Sequence, residues 1–241
     1  MTAQQTPPRT TVGSEALPGI HPPVDVPDRA QLPSDRALSD RARSDRAISD
    51  RERSDRALSL SDLPAGAPES VVLLDGSLRA VATMAKADVH TTRTPLHLAF
   101  SCYLFDGAGR MLVTRRALQK STWAGVWTNS VCGHQAPGES DTDAVVRRAA
   151  AELGVRVAAA SLRRVLPDFA YRAVDAGGLV ENEFCPVFTG RLDADPRPDP
   201  AEVAQWLWVD WAGLADAVAA SPWLVSPWAA EQIPQLRAAG V

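Results

Sequence analysis

Three features that would place this protein outside a reducing cytoplasm are missing from its sequence. The 241 residues include only three cysteines, at positions 102, 132 and 185, with no C-x-x-C pair, so a disulfide framework is not expected. The longest uncharged apolar stretch, residues 217–230, contains two prolines and is too short to span a bilayer. Residues 1–10 lack the basic start and apolar core of a signal peptide. We therefore expect a cytoplasmic protein with reduced thiols.

A surplus of positive charge is also absent. The chain carries 25 basic and 29 acidic side chains, for a formal net charge of −4. Proteins that bind a nucleic-acid backbone or an anionic membrane usually present a basic face. We therefore expect neither nucleic acid nor a membrane as a partner, and no obligate protein partner is evident in the sequence.

Apolar residues are scarce in the first part of the chain. A five-residue unit, Ser-Asp-Arg-x-x, occurs five times, beginning at Ser34, Ser39, Ser44, Ser49 and Ser54. The unit mixes acid and base with almost no apolar surface, so it cannot bury a core. We predict a disordered or weakly helical tail over residues 1–65, with no catalytic residue, and one folded domain over residues 66–241.

The folded part alternates between strand and helix patterns. β-Prone runs cover residues 71–74, 98–105, 110–116, 179–188 and 203–209, and residues 106–109 are typical of a hairpin turn. Helical patterns cover residues 139–153, with Gly154 as a stop signal, and residues 212–220 and 228–239. Strands interspersed with helices predict a layered α/β domain.

Three of the four histidines lie in segments that do not look like plain core. His90, His97 and His134, together with Glu181 and Glu183, make a plausible site for one divalent metal ion. Within a strand both glutamates would share a face, where two carboxylates repel unless a cation or a shared proton lies between them. A solvated rim on an edge strand is the alternative for the two glutamates.

The predicted helix and the loop before it follow a known spacing. The pattern is that of a Nudix box, G-x5-E-x7-R-E-U-x-E-E-x-G-U with U a bulky apolar residue, at Gly133, Glu139, Arg147 and residues 152–155. Arg148 and Ala151 stand where the box has glutamates. A metal-dependent Nudix hydrolase needs those carboxylates to hold magnesium and activate water. The chain is therefore not expected to cleave a diphosphate, and binding of one remains open from these residues.

Taken together, these segments resemble the type 1 isopentenyl-diphosphate delta-isomerases, which are Nudix-fold enzymes. The resemblance extends from about Val71 to Trp228 and is strongest in residues 90–100, 112–118, 123–134, 171–172, 180–183 and 226–228. It implies a Nudix-type α/β/α sandwich with a mixed sheet. It also implies a small-molecule diphosphate substrate and the interconversion of isopentenyl and dimethylallyl diphosphate, in which one carbon gains a proton and another loses one.

The resemblance assigns a metal site and two proton-handling residues. One divalent ion would bind to His90, His97, His134, Glu181 and Glu183. Three imidazoles favour a transition metal, Mn²⁺ or Zn²⁺, over Mg²⁺, which prefers oxygen ligands. Glu183 is expected to protonate the terminal alkene carbon, while Cys132 as a thiolate takes the proton from the other side.

The remaining roles concern the cation-like intermediate and the diphosphate. Tyr171 would form a hydrogen bond near Glu183, and the ring face of Trp228 would stabilise the developing cation. Diphosphate would bind to four cations and to a Mg²⁺ ion held by Glu152; the cations are Lys86, Arg116, Lys120 and Arg148. The neighbouring Arg115 and Arg147 are expected to be structural or solvated.

Two other functions remain open from the residues alone. A Nudix diphosphate hydrolase is disfavoured by Arg148 and Ala151. A binding module without activity is disfavoured because every expected ligand and both proton-handling residues are present. Turnover assays separate the three possibilities.

Overall fold

The computed structural model describes residues 70–241, and the predicted tail over residues 1–65 and its boundary lie outside them. Twelve strands run through this part of the chain: β1 (Ser70–Leu74), β2 (Ala80–Ala85), β3 (His97–Leu98), β4 (Phe100–Phe105), β5 (Arg110–Arg116), β6 (Trp127–Thr128), β7 (Val131–Gly133), β8 (Arg163–Leu166), β9 (Ala170–Val174), β10 (Val180–Phe184), β11 (Val187–Arg191) and β12 (Val203–Asp210). The α-helices of the same part are α1 (Lys86–Val89), α2 (Asp141–Leu153), α3 (Trp211–Ala220) and α4 (Pro227–Ala238). Short 3-10 turns lie at Ala159–Ser161 and Pro222–Leu224.

The strands form two mixed sheets. The smaller has the order β2-β1-β3-β10-β9, and the larger has the order β12-β5-β4-β11-β8, with β6 paired to β5 and β7 paired to β4. Strands β3 and β10 are parallel, as are β4 and β11, while the flanking pairs are antiparallel. Both sheets thus combine the two kinds of pairing.

The larger sheet carries a helical layer on each face. Successive side chains of β4 point to opposite faces, and β4 is buried on both. Phe100, Cys102 and Leu104 pack in one apolar cluster with the buried face of α2, whereas Tyr103 packs in another with α3 and α4. This arrangement confirms the predicted α/β/α fold class.

Two of the β-prone runs are each divided between the two sheets. Residues 98–105 divide at Ala99 into β3 and β4, and residues 179–188 divide at Cys185–Pro186 into β10 and β11. In both cases the first half belongs to the smaller sheet and the second half to the larger one. Pro186 has no N–H to continue a ladder. The two segments therefore pass side by side from one sheet to the other.

Helix boundaries follow local capping chemistry. The hydroxyl oxygen of Ser140 accepts a hydrogen bond from the backbone N–H of Asp143 at 3.1 Å, so α2 begins at Asp141 rather than at 139. Gly154 ends α2 in the left-handed region, with a φ of 64°. A Cβ at position 154 would lie 2.4 Å from the carbonyl oxygen of Arg197, so glycine is needed there for space as well.

Several short elements have no clear signal in the sequence. They are β2, α1 and the strands β6 to β9. Segments of two to six residues carry too little periodicity to stand out, and they become regular only when a neighbouring strand pairs with them. None of the helices within residues 70–241 has the length and apolar character needed to cross a bilayer.

Candidate active site

One cavity of about 370 Å³ gathers the predicted site residues. Its walls come from both sheets and from α2 and α4, at the place where the chain passes between the sheets. It is lined by every predicted site residue except His97: Lys86, His90, Arg116, Lys120, Cys132, His134, Arg148, Glu152, Tyr171, Glu181, Glu183 and Trp228. His97 is fully buried directly behind His134.

Four of the five predicted metal ligands converge at one point. One potential ligand atom from each of His90, His97, His134 and Glu183 lies within 4.8 Å of the others. His134 Nε2 lies 3.2 Å from both His97 Nε2 and Glu183 Oε1. Residue Glu183 is paired in register with His97 on the parallel neighbour β3, which explains how residues far apart in sequence come together.

The chemistry of these four residues fits a divalent cation. His97 Nδ1 lies 3.0 Å from the carbonyl oxygen of Pro95 and donates to it, so the Nε2 lone pair points at the cluster. Within residues 70–241, the buried Nε2 of His90 has no hydrogen-bond partner. Several buried lone pairs that face one another are costly unless a cation lies between them. We call His90, His97, His134 and Glu183 the metal quartet.

Burial and close contact shift the pKa values of the residues in the metal quartet. Burial raises the pKa of Glu183, but the neighbouring imidazoles of His134, His90 and His97 outweigh it and hold that pKa well below its usual range. Burial lowers the pKa of His134 to about 4. Burial likewise acts to lower the pKa of His97, yet the Glu183 carboxylate, 3.4 Å from His97 Nε2, raises it above its ordinary value. A carboxylate therefore faces the imidazoles in the folded protein.

Glu181, the fifth predicted ligand, lies beside the quartet. Its Oε1 accepts a hydrogen bond from the Thr122 hydroxyl at 3.1 Å, and its Oε2 accepts one from the Tyr171 hydroxyl at 2.7 Å. Burial and the charge of Glu183 raise the pKa of Glu181. The alternative of a solvated edge strand is wrong, because β10 lies between β3 and β9 and both glutamates are buried.

Tyr171 connects the two carboxyl groups. Its hydroxyl oxygen lies 2.7 Å from Glu181 Oε2 and 2.9 Å from Glu183 Oε2. A phenol has a single hydrogen, so it cannot donate to both oxygens at once. A shared proton among these three groups, or a cation, relieves the repulsion between the carboxylates. We call Glu181, Tyr171 and Glu183 the carboxyl bridge.

Cys132 contributes a thiol from β7 to the same cavity. Its Sγ donates to Asn129 Oδ1 at 3.0 Å and lies 3.5 Å from the hydroxyl of Ser101. Burial raises the pKa of Cys132 to about 12. Burial therefore favours the thiol form of Cys132 over the thiolate.

Trp228 forms an aromatic wall. Its side chain is 2% exposed, and its indole N–H donates to Asn129 Oδ1 at 3.0 Å. The guanidinium of Arg116 lies over the ring at 5.8 Å from the centroid. A ring face in a dry cavity attracts positive charge, so this wall suits a substrate that develops a cation.

The remaining cations cluster around two carboxylates. Arg148 is paired with Glu152 one turn further along α2, and Lys120 is paired with Glu202, which also lies 3.6 Å from Arg148. Burial raises the pKa of Glu152, whereas Lys120 outweighs burial and lowers the pKa of Glu202. Lys86 lines the same cavity.

Glu139 and Arg147 of the Nudix box shape the loop before α2. Arg147 donates to Glu139 Oε1 and Oε2 at 2.6 Å and to the carbonyl oxygen of His134 at 3.1 Å. This ion pair holds the loop that carries His134, so Arg147 is structural, as expected. A Cβ on Gly133 would lie 2.9 Å from Arg148 Cγ. Glycine between Cys132 and His134 thus allows α2 to approach β7.

Three residues around the cavity had no predicted role. Thr122 links Glu181 with Arg116, because its carbonyl oxygen accepts a hydrogen bond from Arg116 at 3.0 Å. Glu202 is the counter-charge of Lys120, and Asn129 is the shared partner of Cys132 and Trp228. Asn129 lies within a matched stretch of sequence, but nothing in its spacing indicates a contact with Trp228.

The chain has close relatives and wider structural neighbours. Residues 95–236 match the NUDIX domain family model. A protein of Mycolicibacterium vanbaalenii named isopentenyl-diphosphate Delta-isomerase is 58% identical over 173 residues, which are 72% of this chain and 94% of that protein. A protein of Leifsonia xyli subsp. xyli with the same name is 57% identical over 171 residues, which are 71% of this chain and 92% of that protein.

Solved structures support the fold alone. A crystal structure from Deinococcus radiodurans superimposes with a TM-score of 0.54 at 23% identity, covering 69% of this chain and 98% of that one. A MutT protein from Methanosarcina mazei gives 0.50 at 17% identity, covering 61% and 96%. The extent and identity of the sequence matches decide the more specific relationship: the chain belongs to the isopentenyl-diphosphate Delta-isomerases, within the NUDIX family.

Proposed function

We propose that this protein interconverts isopentenyl and dimethylallyl diphosphate through a proton transfer at each end of an allylic unit. The observation that carries the proposal is that Cys132 and Glu183 line the same cavity as the cations Lys86, Arg116, Lys120 and Arg148. Acid–base groups and diphosphate-binding groups are thus within reach of one small substrate. Relatives named for this isomerase, matching over most of their length, support the same reaction.

The proton-handling groups lie on different strands of different sheets. Cys132 belongs to β7 of the larger sheet and Glu183 to β10 of the smaller one. From isopentenyl diphosphate, the protonated Glu183 gives a proton to the terminal alkene carbon, and Cys132 as a thiolate accepts a proton from the carbon next to the tertiary centre. In the opposite direction, the Cys132 thiol gives the proton and the Glu183 carboxylate accepts one. Burial raises the pKa of Cys132, which favours the thiol that this second direction uses.

The tertiary cation formed between the two transfers needs a shielded, electron-rich surface. Trp228 offers its ring face and is held in place by the bond to Asn129. Such a contact stabilises a cation by about 2 kcal/mol when water is excluded. The proposal therefore gives Trp228 an electrostatic role rather than a proton-transfer role.

Substrate binding depends on the cations at the α2 side of the cavity. Arg116, Lys120 and Arg148 can each form charge-assisted hydrogen bonds with phosphate oxygens, and Lys86 adds a fourth positive charge. Arg148 replaces a hydrolytic carboxylate on the cavity face of α2. This substitution favours holding the diphosphate over cleaving it.

Two metal ions complete the proposal. The metal quartet, with Glu181 beside it, would hold Mn²⁺ or Zn²⁺, since three imidazole ligands favour a transition metal. Glu152 would hold Mg²⁺ that arrives with the diphosphate. When bound, the ions supply positive charge that orients Glu183 and offsets the charge of the diphosphate. We also propose a cytoplasmic location, in keeping with three free cysteines.

The test is an isomerase assay on the full chain with Mg²⁺, before and after removal of metal with a chelator. Conversion of isopentenyl diphosphate that disappears on stripping and returns with added metal supports the proposal. Cys132→Ala is expected to lose turnover while staying folded, and Cys102→Ala is the matched control, because Cys102 is buried on the α2 face of β4. Full activity of Cys132→Ala, or release of phosphate in place of isomerisation, would contradict it.

A further inference from the structure

Cys132 and Trp228 come from distant parts of the chain, yet both are held by one oxygen atom. Asn129 Oδ1 accepts the S–H of Cys132 at 3.0 Å, the indole N–H of Trp228 at 3.0 Å and the hydroxyl of Thr128 at 2.8 Å. Asn129 itself has no exposed surface. This one oxygen atom therefore links three buried donors of the site.

The orientation of the Asn129 amide follows from its other end. The NH₂ group donates to the carbonyl oxygens of Cys102 at 3.1 Å and Val131 at 2.9 Å. Both acceptors are backbone atoms of the paired strands β4 and β7. Both amide hydrogens are thus used, and the oxygen is the atom that must face Cys132 and Trp228.

The Thr128 hydroxyl extends this group toward the start of α4. It lies 2.8 Å from the hydroxyl of Ser226, and the N–H of Ser226 donates to the carbonyl oxygen of Trp127 at 2.8 Å. Ser226 directly precedes α4, which carries Trp228. The sheet strand with the thiol and the helix with the aromatic wall are therefore joined through Asn129 and Thr128.

We infer that Asn129 is a positioning residue for the isomerisation: its side-chain oxygen sets the thiol of Cys132 and the ring of Trp228 relative to each other. This inference rests on the proposed function of those two groups. Asn129 acts through them and not on the substrate, since it is enclosed beneath them. Proton transfer to or from a cation depends steeply on distance, so losing this common partner should lower kcat far more than it changes KM.

The experiment compares Asn129→Ser with Ser130→Ala in the full chain. Ser130 is equally buried and forms its hydrogen bonds with the backbone of Leu104 and Leu112 rather than with Cys132 or Trp228, so it is a matched control. We expect Asn129→Ser to lower kcat about 100-fold with a nearly unchanged KM. Ser130→Ala should keep the wild-type kcat once both variants are shown to be folded and loaded with metal.

A second readout does not depend on turnover. In ¹H–¹⁵N correlation NMR spectra, the indole N–H signal of Trp228 is assigned by its loss in Trp228→Phe. This signal should shift in Asn129→Ser and keep its position in Ser130→Ala. If Asn129→Ser does not fold, Thr128→Val replaces it, because that change keeps the shape of the side chain and removes one donor to Oδ1. Thr128→Val should shift the same indole signal and lower kcat by a smaller factor than the one expected for Asn129→Ser.

Each result has a definite meaning. A wild-type kcat in Asn129→Ser, an equal loss in Ser130→Ala, or an unmoved Trp228 signal in both Asn129→Ser and Thr128→Val would overturn the inference. If the wild-type protein shows no isomerisation at all, the proposed function fails, while the NMR comparison still reports whether Asn129 holds Trp228.

Discussion

The guanidinium carbon of Arg116 lies 5.8 Å from the centroid of the Trp228 ring. Arg116 is oriented by hydrogen bonds to the carbonyl oxygen of Thr122, at 3.0 Å and 3.3 Å. The side chain proposed to bind the diphosphate thus borders the ring proposed to stabilise the developing cation. The cavity has a polar side and an aromatic side that meet at this pair.

Variants of this pair should separate binding from chemistry. Trp228→Phe removes the larger ring and the bond to Asn129, so we expect kcat to fall about tenfold or more with little change in KM, since a cation on an aromatic face gains about 2 kcal/mol. Arg116→Lys keeps the charge but loses the paired contacts to Thr122, so it should mainly raise KM. Steady-state kinetics with isopentenyl diphosphate measure both, and a change confined to KM in Trp228→Phe would count against its cation-stabilising role.

Removing the Tyr171 hydroxyl should weaken catalysis without unfolding the protein. Tyr171→Phe leaves two buried carboxyl groups without the hydroxyl that joins them, and we expect kcat to fall by about 10- to 100-fold, as for other groups that assist proton transfer. The matched control is Tyr103→Phe, which removes a buried hydroxyl bound to Gln232. The assay is kcat at several pH values, where only Tyr171→Phe should change the profile. An equal effect of both changes would indicate a purely structural role.

Metal removal should affect stability as well as activity. An ion held by the metal quartet binds the folded state alone, so stripping it should lower Tm by about 5 °C. His134→Ala removes the imidazole at the centre of the contacts and should abolish binding of one equivalent. Glu181→Gln should weaken binding less, because its oxygens are already held by Thr122 and Tyr171. Metal analysis and thermal unfolding measure both effects, and an unaltered metal content in His134→Ala would exclude this site.

Glu202 should stabilise the fold in a pH-dependent way. Lys120 outweighs burial and lowers the pKa of Glu202, so this carboxylate contributes stability above its unfolded pKa and loses it as the pH falls through its folded pKa. Glu202→Gln should therefore cost about 1 kcal/mol at pH 7, and the difference from the wild type should close in acid. Urea unfolding of Glu202→Gln and of the wild type, at pH 7 and at an acidic pH below the folded pKa of Glu202, measures this difference in stability.

Glu231 provides the opposite case for the same measurement. Burial raises the pKa of Glu231, so its charged form is disfavoured in the folded protein, and Glu231→Gln should be neutral or stabilising at pH 7. A loss of stability in Glu231→Gln that matches the loss in Glu202→Gln would show that the ion pair with Lys120 is not the cause.

Much of the fold was predictable because its signals are local. The periodicity and caps of α2, and the runs that became β5 and β12, indicate their elements within a few residues. The division of residues 179–188 between two sheets was less visible, because it depends on which neighbours β10 and β11 find. Short strands such as β6 and β7 exist only through pairing with β5 and β4.

The sequence alone determines the residue types of the site, but not their arrangement in space. Imidazoles, carboxylates, one thiol and several cations indicate metal, proton and diphosphate chemistry by their intrinsic properties, and the resemblance attaches those properties to positions. The register of Glu183 against His97, the burial that raises the pKa of Cys132 and the contacts of Cys132 and Trp228 with Asn129 arise only on folding. They depend on distances and on exclusion of water, which contacts between remote segments create and which no local pattern encodes.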